Sequence, residues 1–562
     1  MVTYQLSPYV TFVESHLTSP SQYAVFHRLT GELVEINTDL RSFLLQVKEA
    51  GGFSFEPPLA TRFGAAGRQV QRLIDKELLI GIGIDPLPSF LDFLVIKPLQ
   101  NPAVTFRSEN QQLVMTSMSM AERVYSRPPN QRPEIIEEVL PEPAAQVWLA
   151  ADGTRTLRQM HAEQAANDQA CEDDNEFRSA IDFLTDPARQ LIKLAPPGVD
   201  LDNPFLPFNT VPRDFYHAAK RTSFENLTTN NDEIKDFHRE GIKDASWEFD
   251  LVEPTVNHAL RFPSAVLGGL DYGARFFRAT QAAGFTEPAA AQKVSVLEIG
   301  GGTGSFARSF INEAKCAVDL KYHILDLSPA LIAAQDSNLS RAGISIEHFE
   351  QDATQFDLPG RTFDLVIANE VIADFPVTLV ESDRTAAADL LKKYHLSIEN
   401  APARFYLNSG VFQFLERAWL HLKPGGAVVL SEYGAGSAYP LEAFHLNHSE
   451  FSIHFGHVSE CAQKIGFETQ LQKLSAFLSI DDNLSVLNGR EEHLMCLEHV
   501  FRKFGVDLPF ALFSEADFER NYAEAARRLD IQPIRFRPLK RNFHYGPGLN
   551  QFWVLLLKKP GT

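Results

Sequence analysis

Hydrophobic and polar positions follow two rhythms along this chain. Tyr9 to Val13 and Tyr23 to His27 alternate in short β-like runs and predict strands. Thr30-Gly31 predicts a turn, with Glu32 to Ile36 as the hairpin partner. Apolar spacing over Asp39 to Val47 and Gly67 to Leu78 predicts helices, and Leu79 to Ile84 a final strand. A small sheet with short helices outlines a winged-helix-like module over 1–90. A second unit of this kind is expected over 91–200. Its hairpin strands are Val104 to Phe106 and Gln112 to Thr116. Its helices are Ala144 to Ala151, Arg155 to Gln164 and Glu176 to Leu184, and Leu191 to Leu194 is strand-like. The Pro-rich stretches 126–143 and 195–212 predict linkers. Residues 213–290 read as mostly helical, with Val256 to Gly284 as a cover for an active site. From Val294 onward strand and helix alternate, which predicts an α/β region.

One segment of that region carries chemistry. The apolar strand Val294 to Leu297 runs into Glu298-Ile299-Gly300-Gly301-Gly302-Thr303-Gly304-Ser305, and helical spacing follows from Phe306 to Ala314. Strand, glycine turn and helix form a nucleotide-binding arrangement, because glycines let the backbone turn sharply and approach a ligand. A dinucleotide fingerprint would need a third glycine where Ser305 stands, and no G-K-[ST] follows, which excludes a P-loop. Further strands are expected at Tyr322 to Leu325, ending in Asp326, and at Ile344 to Phe349, followed by Gln351-Asp352-Ala353. Phe363 to Ala368 ends in Asn369-Glu370, Ala427 to Ser431 follows the Lys423-Pro424-Gly425-Gly426 turn, and Phe552 to Lys558 comes last.

Composition narrows the partners. The chain has 562 residues, 52 Lys and Arg against 72 Asp and Glu, and a formal net charge of −20. That balance argues against nucleic acid, whose phosphates are bound mostly through Lys and Arg. It agrees with a cationic substrate and equally with plain solubility. Cys171, Cys316, Cys461 and Cys496 form no CxxC, so no zinc or redox motif is read, and Cys316 and Cys461 are expected to pack as small hydrophobes. The histidines at 445, 448, 454 and 457 fit no zinc spacing, and no metal is expected. No apolar run approaches the roughly 18 residues of a membrane span and no signal peptide is read, so the expectation is a cytoplasmic protein without a membrane partner.

The glycine pattern, with an acid two residues before Gly300, resembles motif I of class I S-adenosylmethionine (SAM) methyltransferases. The stretches His323 to Leu331 and Ile367 to Val377 are similar to the MidA-type methyltransferases, a family that includes the mitochondrial arginine methyltransferase needed for assembly of respiratory complex I. Its N-E-x-x-D-x-x-P-V signature is resembled here from Asn369 to Val377, with the acid one place later, at Asp374, and Glu432-Tyr433-Gly434 resembles its acidic-Tyr-Gly. The family's glycine turn usually holds a Pro and an Arg where this chain has Gly301 and Thr303. The resemblance implies SAM as cofactor. It places Gly300, Gly302 and Gly304 against the methionine part and Glu298 near its amino group or the loop. It also places Asp326 on the ribose hydroxyls, and Asp352 with Ala353 at the adenine. The N-terminal module is similar to PqqD-like domains, which add an extended leader peptide to a sheet edge. The implied fold class is α/β: a Rossmann-like class I methyltransferase domain over 291–562. Small winged-helix-like α+β modules over 1–90 and 91–200 and a helical substrate-binding cover over 213–290 precede it.

An arginine guanidinium is a poor nucleophile and needs carboxylates to grip it and to take its proton. Glu370 is expected as guanidinium clamp and Asp374 as second clamp or base. They share one face if the chain turns helical after Asn369. Asn369 would orient the substrate nitrogen or the cofactor, and Glu432 is a further candidate. The expected activity is arginine N-methylation in a peptide or protein, the partner being an Arg-containing precursor peptide or protein. Two alternatives are methylation of a small molecule or carboxylate and a non-catalytic assembly factor with the SAM fold. A homodimer is compatible with the sequence, which leaves the oligomeric state open.

Overall fold

In a computed structural model, the described residues are 2–15, 22–30, 33–55, 59–97, 104–118, 135–167, 174–186, 189, 191–198, 231–236, 238–239, 242, 255–285, 293–398, 401–445, 448–487, 491–532, 534–541 and 551–561. They form two compact units. The first takes most of residues 1–227 together with Leu529–Pro533, and the second takes Thr228–Arg528 and Ile534–Thr562.

The second unit is built on an eight-stranded sheet. Its strands are β1 (Val294–Ile299), β2 (Leu320–Asp326), β3 (Glu347–Glu350), β4 (Phe363–Asn369), β5 (Leu422–Ala435), β6 (Glu468–Lys473) and β7 (Phe552–Lys558). They lie in the order β3-β2-β1-β4-β5-β7-β6, and Ile453–His454 pairs with β5 off that path. β1 to β5 are parallel, while β7 is antiparallel to both neighbours. The central strands read as nearly continuous apolar runs because helices cover both faces of a parallel sheet. Leu297, Val366, Val428 and Leu555 are accordingly buried in one core. The strand order reverses between β1 and β4, and open α/β sheets bind ligands at the carboxyl ends on either side of that switch. Ile299, Leu325 and Ala368 end level with one another there. This is the Rossmann-like methyltransferase fold.

The helix Tyr272–Ala282 packs on Ser305–Ala314. Phe276 meets Phe306 edge to face at 5.2 Å between ring centroids. The close approach depends on Gly273, where a Cβ would stand 2.6 Å from the Phe306 carbonyl oxygen. Of the helical cover expected over 213–290, the described parts are the helices Asn231–Asp236, Val256–Ala259 and Tyr272–Ala282 and a 3-10 turn at Ala265–Leu267. The parts at 213–230, 243–254 and 286–290 lie outside the described residues. The expected Lys423 to Gly426 turn belongs to β5 itself, as the residues between the Phe363–Leu422 and Leu365–Ala427 pairs where the register shifts.

In the first unit, Val10–Ser15, Gln22–His27 and Leu33–Ile36 form one antiparallel sheet. Phe53–Phe55, Val2–Leu6 and Leu79–Gly81 form another. The helices Thr38–Ala50 and Leu59–Asp75 accompany them, and Val25, Leu44, Leu73 and Leu79 share a core. Val104–Glu109 and Gln112–Met118 make the expected hairpin. The stretch 126–143 departs from its reading as a linker. Ile135–Val139 is a strand paired with Gln112–Met118, and Glu142–Ala150 is a helix that begins on Pro141. Proline is tolerated at a helix start, so Pro density marked a boundary here and not a gap. Cys461 and Cys496 are buried, whereas Cys316 is exposed and does not pack as a core hydrophobe. Cys171 lies outside the described residues.

Candidate active site

The carboxyl ends of β1 to β4 open into a cavity of about 1020 Å³, counted with the space open to solvent. Gly300 to Thr303, Asp326, Asp352, Ala353, Asn369, Glu370 and Asp374 line it from the sheet. Lys235, His238, Thr255, Asn257 and His258 line it from the cover.

The glycine turn is locked by sterics. Gly300 has φ +66°, and a Cβ there would stand 2.5 Å from Val371 Cγ2. Gly302 has φ +51° and open space where a Cβ would be, so its backbone is open to the cavity. The Gly301 amide donates to Asp326 Oδ2 at 3.2 Å, a bond that a proline at this place would not make. Asp326 also accepts from the Ser328 amide at 3.0 Å and from Gln335 Nε2 at 2.8 Å. A carboxylate offers about four acceptor positions, so roughly one remains for a ribose hydroxyl. Burial pushes the Asp326 carboxyl up, and its three donors act against that.

Glu298 lies beneath the turn, 3% exposed, and accepts from the Tyr322 hydroxyl at 2.9 Å. Burial pushes its carboxyl up to about 8. Asp352 follows β3. Its Oδ1 accepts from the Thr354 amide at 2.8 Å, and its Oδ2 pairs with Lys235 Nζ at 2.7 Å. Burial alone would raise the Asp352 carboxyl, but Lys235 and Thr354 outweigh it and hold it below the usual range. Lys235 therefore occupies the acid that the sequence assigns to the adenine.

The chain after Asn369 is not an α-helix. Glu370 has φ +54°, and a single 3-10 turn spans Ile372–Asp374. The face shared through helical spacing is absent, yet both carboxyl groups still line the cavity. Glu370 is also not an open clamp. Its Oε2 accepts from the Val256 amide at 2.7 Å, and its Oε1 accepts from the Asn257 amide at 3.1 Å and Asn369 Nδ2 at 3.2 Å. It thereby pins the start of the Val256–Ala259 helix to the end of β4, and Asn257 Nδ2 continues the tie to Ser305 Oγ at 3.1 Å. Burial pushes the Glu370 carboxyl up to about 7, with Glu450 adding to the rise and the two amides opposing it.

Asn369 is fixed from behind. Its Oδ1 accepts from the Tyr272 hydroxyl at 2.7 Å and from Ser431 Oγ at 2.6 Å. Glu432, 4% exposed, accepts from the Tyr433 amide at 2.9 Å and the Ala373 amide at 3.3 Å. Burial raises its carboxyl well above the usual range, and Glu370, Glu450 and Asp374 raise it further. His238 Nε2 stands 3.5 Å from Asp374 Oδ2. Lys235, His238, Asn257 and Tyr272 were not singled out by the sequence reading, because no motif marks them. For Asn257 and Tyr272 the available signal was the position of Val256 to Gly284 ahead of the glycine turn, and Lys235 and His238 had none. Among the described residues, no group of three or more His, Cys, Asp or Glu is placed to hold a metal ion.

Comparisons with known proteins bear on this geometry. Residues 273–400 match the model of a family described as "Putative S-adenosyl-L-methionine-dependent methyltransferase". No curated protein matches the chain. Similar solved structures include an uncharacterized superfamily protein from Burkholderia thailandensis, at 16% identity and TM-score 0.35 over 60% of this chain and 89% of that one. Another, from the same organism and bound to S-adenosylhomocysteine, has 15% identity and TM-score 0.34 over 60% and 90%. A SAM-dependent methyltransferase from Clostridium acetobutylicum has 8% identity and TM-score 0.27 over 52% and 94%. The matched segment runs from the Tyr272–Ala282 helix through the glycine turn, Asp326, Asp352 and the end of β4. The family match makes S-adenosylmethionine the cofactor of this chain and methyl transfer its chemistry.

Proposed function

We propose that the chain methylates a guanidinium nitrogen of arginine in a peptide or protein, a ribosomally made precursor peptide being the favoured partner. The observation that carries this reading is the crowding of carboxyl groups at the acceptor end of the cavity. Glu370 and Asp374 line the cavity, Glu432 and Glu450 stand close behind that lining, and the Glu370 and Glu432 carboxyls are pushed up by burial first and by neighbouring acids second. A cation set among them relieves both the repulsion and the burial. A carboxylate acceptor would meet the opposite field, which disfavours that alternative.

The residues divide the work. The glycine turn, Asp326, Asp352 and Ala353 would hold the cofactor, which supplies a methyl group on a cationic sulfur. Asn369, with Oδ1 held by Tyr272 and Ser431 and Nδ2 donating to Glu370, would orient the acceptor or the cofactor through its second amide hydrogen. Glu370 keeps the Val256–Ala259 helix in place and retains about one acceptor position for a guanidinium hydrogen. Asp374 supplies the second carboxylate. For a peptide, the edge strands Val10–Ser15 and Leu33–Ile36 of the first unit offer backbone groups for strand addition, which suits a PqqD-like leader-binding role.

Mass spectrometry of Arg-containing peptides incubated with SAM tests the reading. Increments of one or two methyl groups localised to arginine are expected. Methylation confined to a small molecule or a carboxylate would overturn it. Equal affinity for substrates with and without a leader would remove the leader-binding part alone.

A further inference from the structure

We propose that Gln335, with Asn338 beside it, is a positioning residue for the cofactor: it ties the glycine turn to Asp326, so that the two meet the cofactor as one preset unit. The inference rests on the reading that this turn and Asp326 hold S-adenosylmethionine. Asp326 ends β2, and the helix Pro329–Arg341 follows at once with Ser328 as its cap. Leu331, Gln335 and Leu339 fall on the buried side of that helix, where a spacing of four places them. The helix runs so close behind the turn that a Cβ on Gly304 would stand 3.2 Å from the Gln335 Cα.

Gln335 is fully buried. Its Nε2 donates to Asp326 Oδ2 at 2.8 Å and to the Gly302 carbonyl oxygen at 3.0 Å. The Gly301 amide donates to the same Asp326 oxygen. The carboxylate, the side-chain amide and the Gly301-Gly302 backbone thus close one ring. Both partners of Nε2 are acceptors, so the NH₂ group faces them and both of its hydrogens are used. The Oε1 of that amide is buried and has no hydrogen-bond partner among the described residues. A buried acceptor left unpaired costs stability, and a methionine would fill the same space without that cost. What the amide supplies in return is the tie. Asn338 Nδ2 adds a second hold on the turn, donating to the Thr303 carbonyl oxygen at 2.7 Å.

The ring sets two features that a ligand meets. The Gly302 carbonyl is drawn towards the helix, and in a trans peptide the following N–H, that of Thr303, points the opposite way. Thr303 lines the cavity. The plane of the Asp326 carboxylate is set by the same bonds, so its remaining acceptor position has one direction. A site whose donors and acceptors stand ready loses less on binding than one that must first order them.

Calorimetric titration of the full chain with S-adenosylhomocysteine tests this. Gln335→Met is expected to bind it about tenfold more weakly, and unchanged affinity overturns the proposal. Asp326→Asn removes the other half of the ring. If Gln335 acts through Asp326, the two losses are not additive, and Gln335→Met costs less than about threefold in the Asp326→Asn background. Losses that multiply in full mean that Gln335 serves general packing, and they overturn the positioning role. Should Gln335→Met fail to fold, Asn338→Ala decides: affinity lower by about threefold supports the brace, and unchanged affinity overturns it. If Asp326→Asn and Gly300→Val both bind as the wild type does, the turn and Asp326 do not hold the cofactor, and the underlying reading fails. If those two weaken binding while Gln335→Met does not, the positioning role alone fails.

Discussion

The two ends of the cavity are built in different ways. The cofactor end draws on residues between 298 and 353, each standing at the end of a strand or in the turn after it. The acceptor end gathers His238, Asn257, Glu370 and Asp374 at the lining, with Tyr272 and Glu432 behind them, from segments far apart in the chain. The first is scaffolded by parallel strands whose register fixes where each residue stops. The second is held by side chains that bind the backbone of another segment, as Glu370 binds Val256 and Asn257. Sequence-local construction would give the proposed cofactor end a rigid frame, and non-local construction makes the other end depend on how distant segments meet.

If the two ends are separable, substitutions should part binding from turnover. The largest effect is expected for Gly300→Val. It forces a side chain into the 2.5 Å gap at Val371 in a left-handed backbone that costs about 1–2 kcal/mol for such residues. Calorimetry should show SAM affinity down by at least about a hundredfold. Retained binding would mean that the turn does not define the cofactor end.

Next comes Glu370→Gln, which keeps the size but cannot accept from both amides. Turnover of an Arg peptide should drop by about a hundredfold, with SAM affinity changed by less than about threefold. Equal losses in both would erase the distinction between the ends.

A smaller effect concerns the floor under the turn. Glu298 is pushed up to about 8 in the folded chain, above its ordinary value of 4.5. Its contribution to stability is thus fully present below the lower value and is lost as pH rises through the upper one. Melting of the wild type should fall by a few °C between pH 5 and 8. Glu298→Gln should flatten that slope in a thermal scan, leaving the part due to Glu370 and Glu432. An identical slope would remove Glu298 from the account.

The smallest effect is expected for Lys235→Met. It removes a partly exposed partner of Asp352 and frees that acid for adenine, so SAM should bind about twofold more tightly by titration. Weaker binding would assign Lys235 to the cofactor instead.

Much of the fold was legible because strand ends announce themselves. An apolar run that stops at Asp326, at Asn369 or at a glycine turn shows where a parallel sheet presents its edge. The glycine turn, Asp326 and Asp352 were readable for this reason. The geometry after Asn369 was not, because spacing of four suggested a helix while Glu370 takes a left-handed conformation that local pattern does not encode. His238 and Asn257 were invisible because their significance depends on contact with Asp374 and Glu370, more than a hundred residues later in the chain. The strand Ile135–Val139 was hidden under a Pro-rich composition that describes its surroundings better than itself.

The order β5-β7-β6 governs how this unit assembles. β6 ends at Lys473, yet its sheet neighbour is β7, which begins at Phe552. During synthesis β6 has its side of the sheet to wait for until the ribosome has released Lys558, and it is an unpaired edge in the interval. Closing so long a loop is slow compared with forming adjacent β1 and β2, so the nucleotide-facing strands are in place before the far edge is sealed. A pause in translation between residues 474 and 551 would prolong the life of that open edge, which makes this stretch the place where chaperone occupancy on nascent chains should peak.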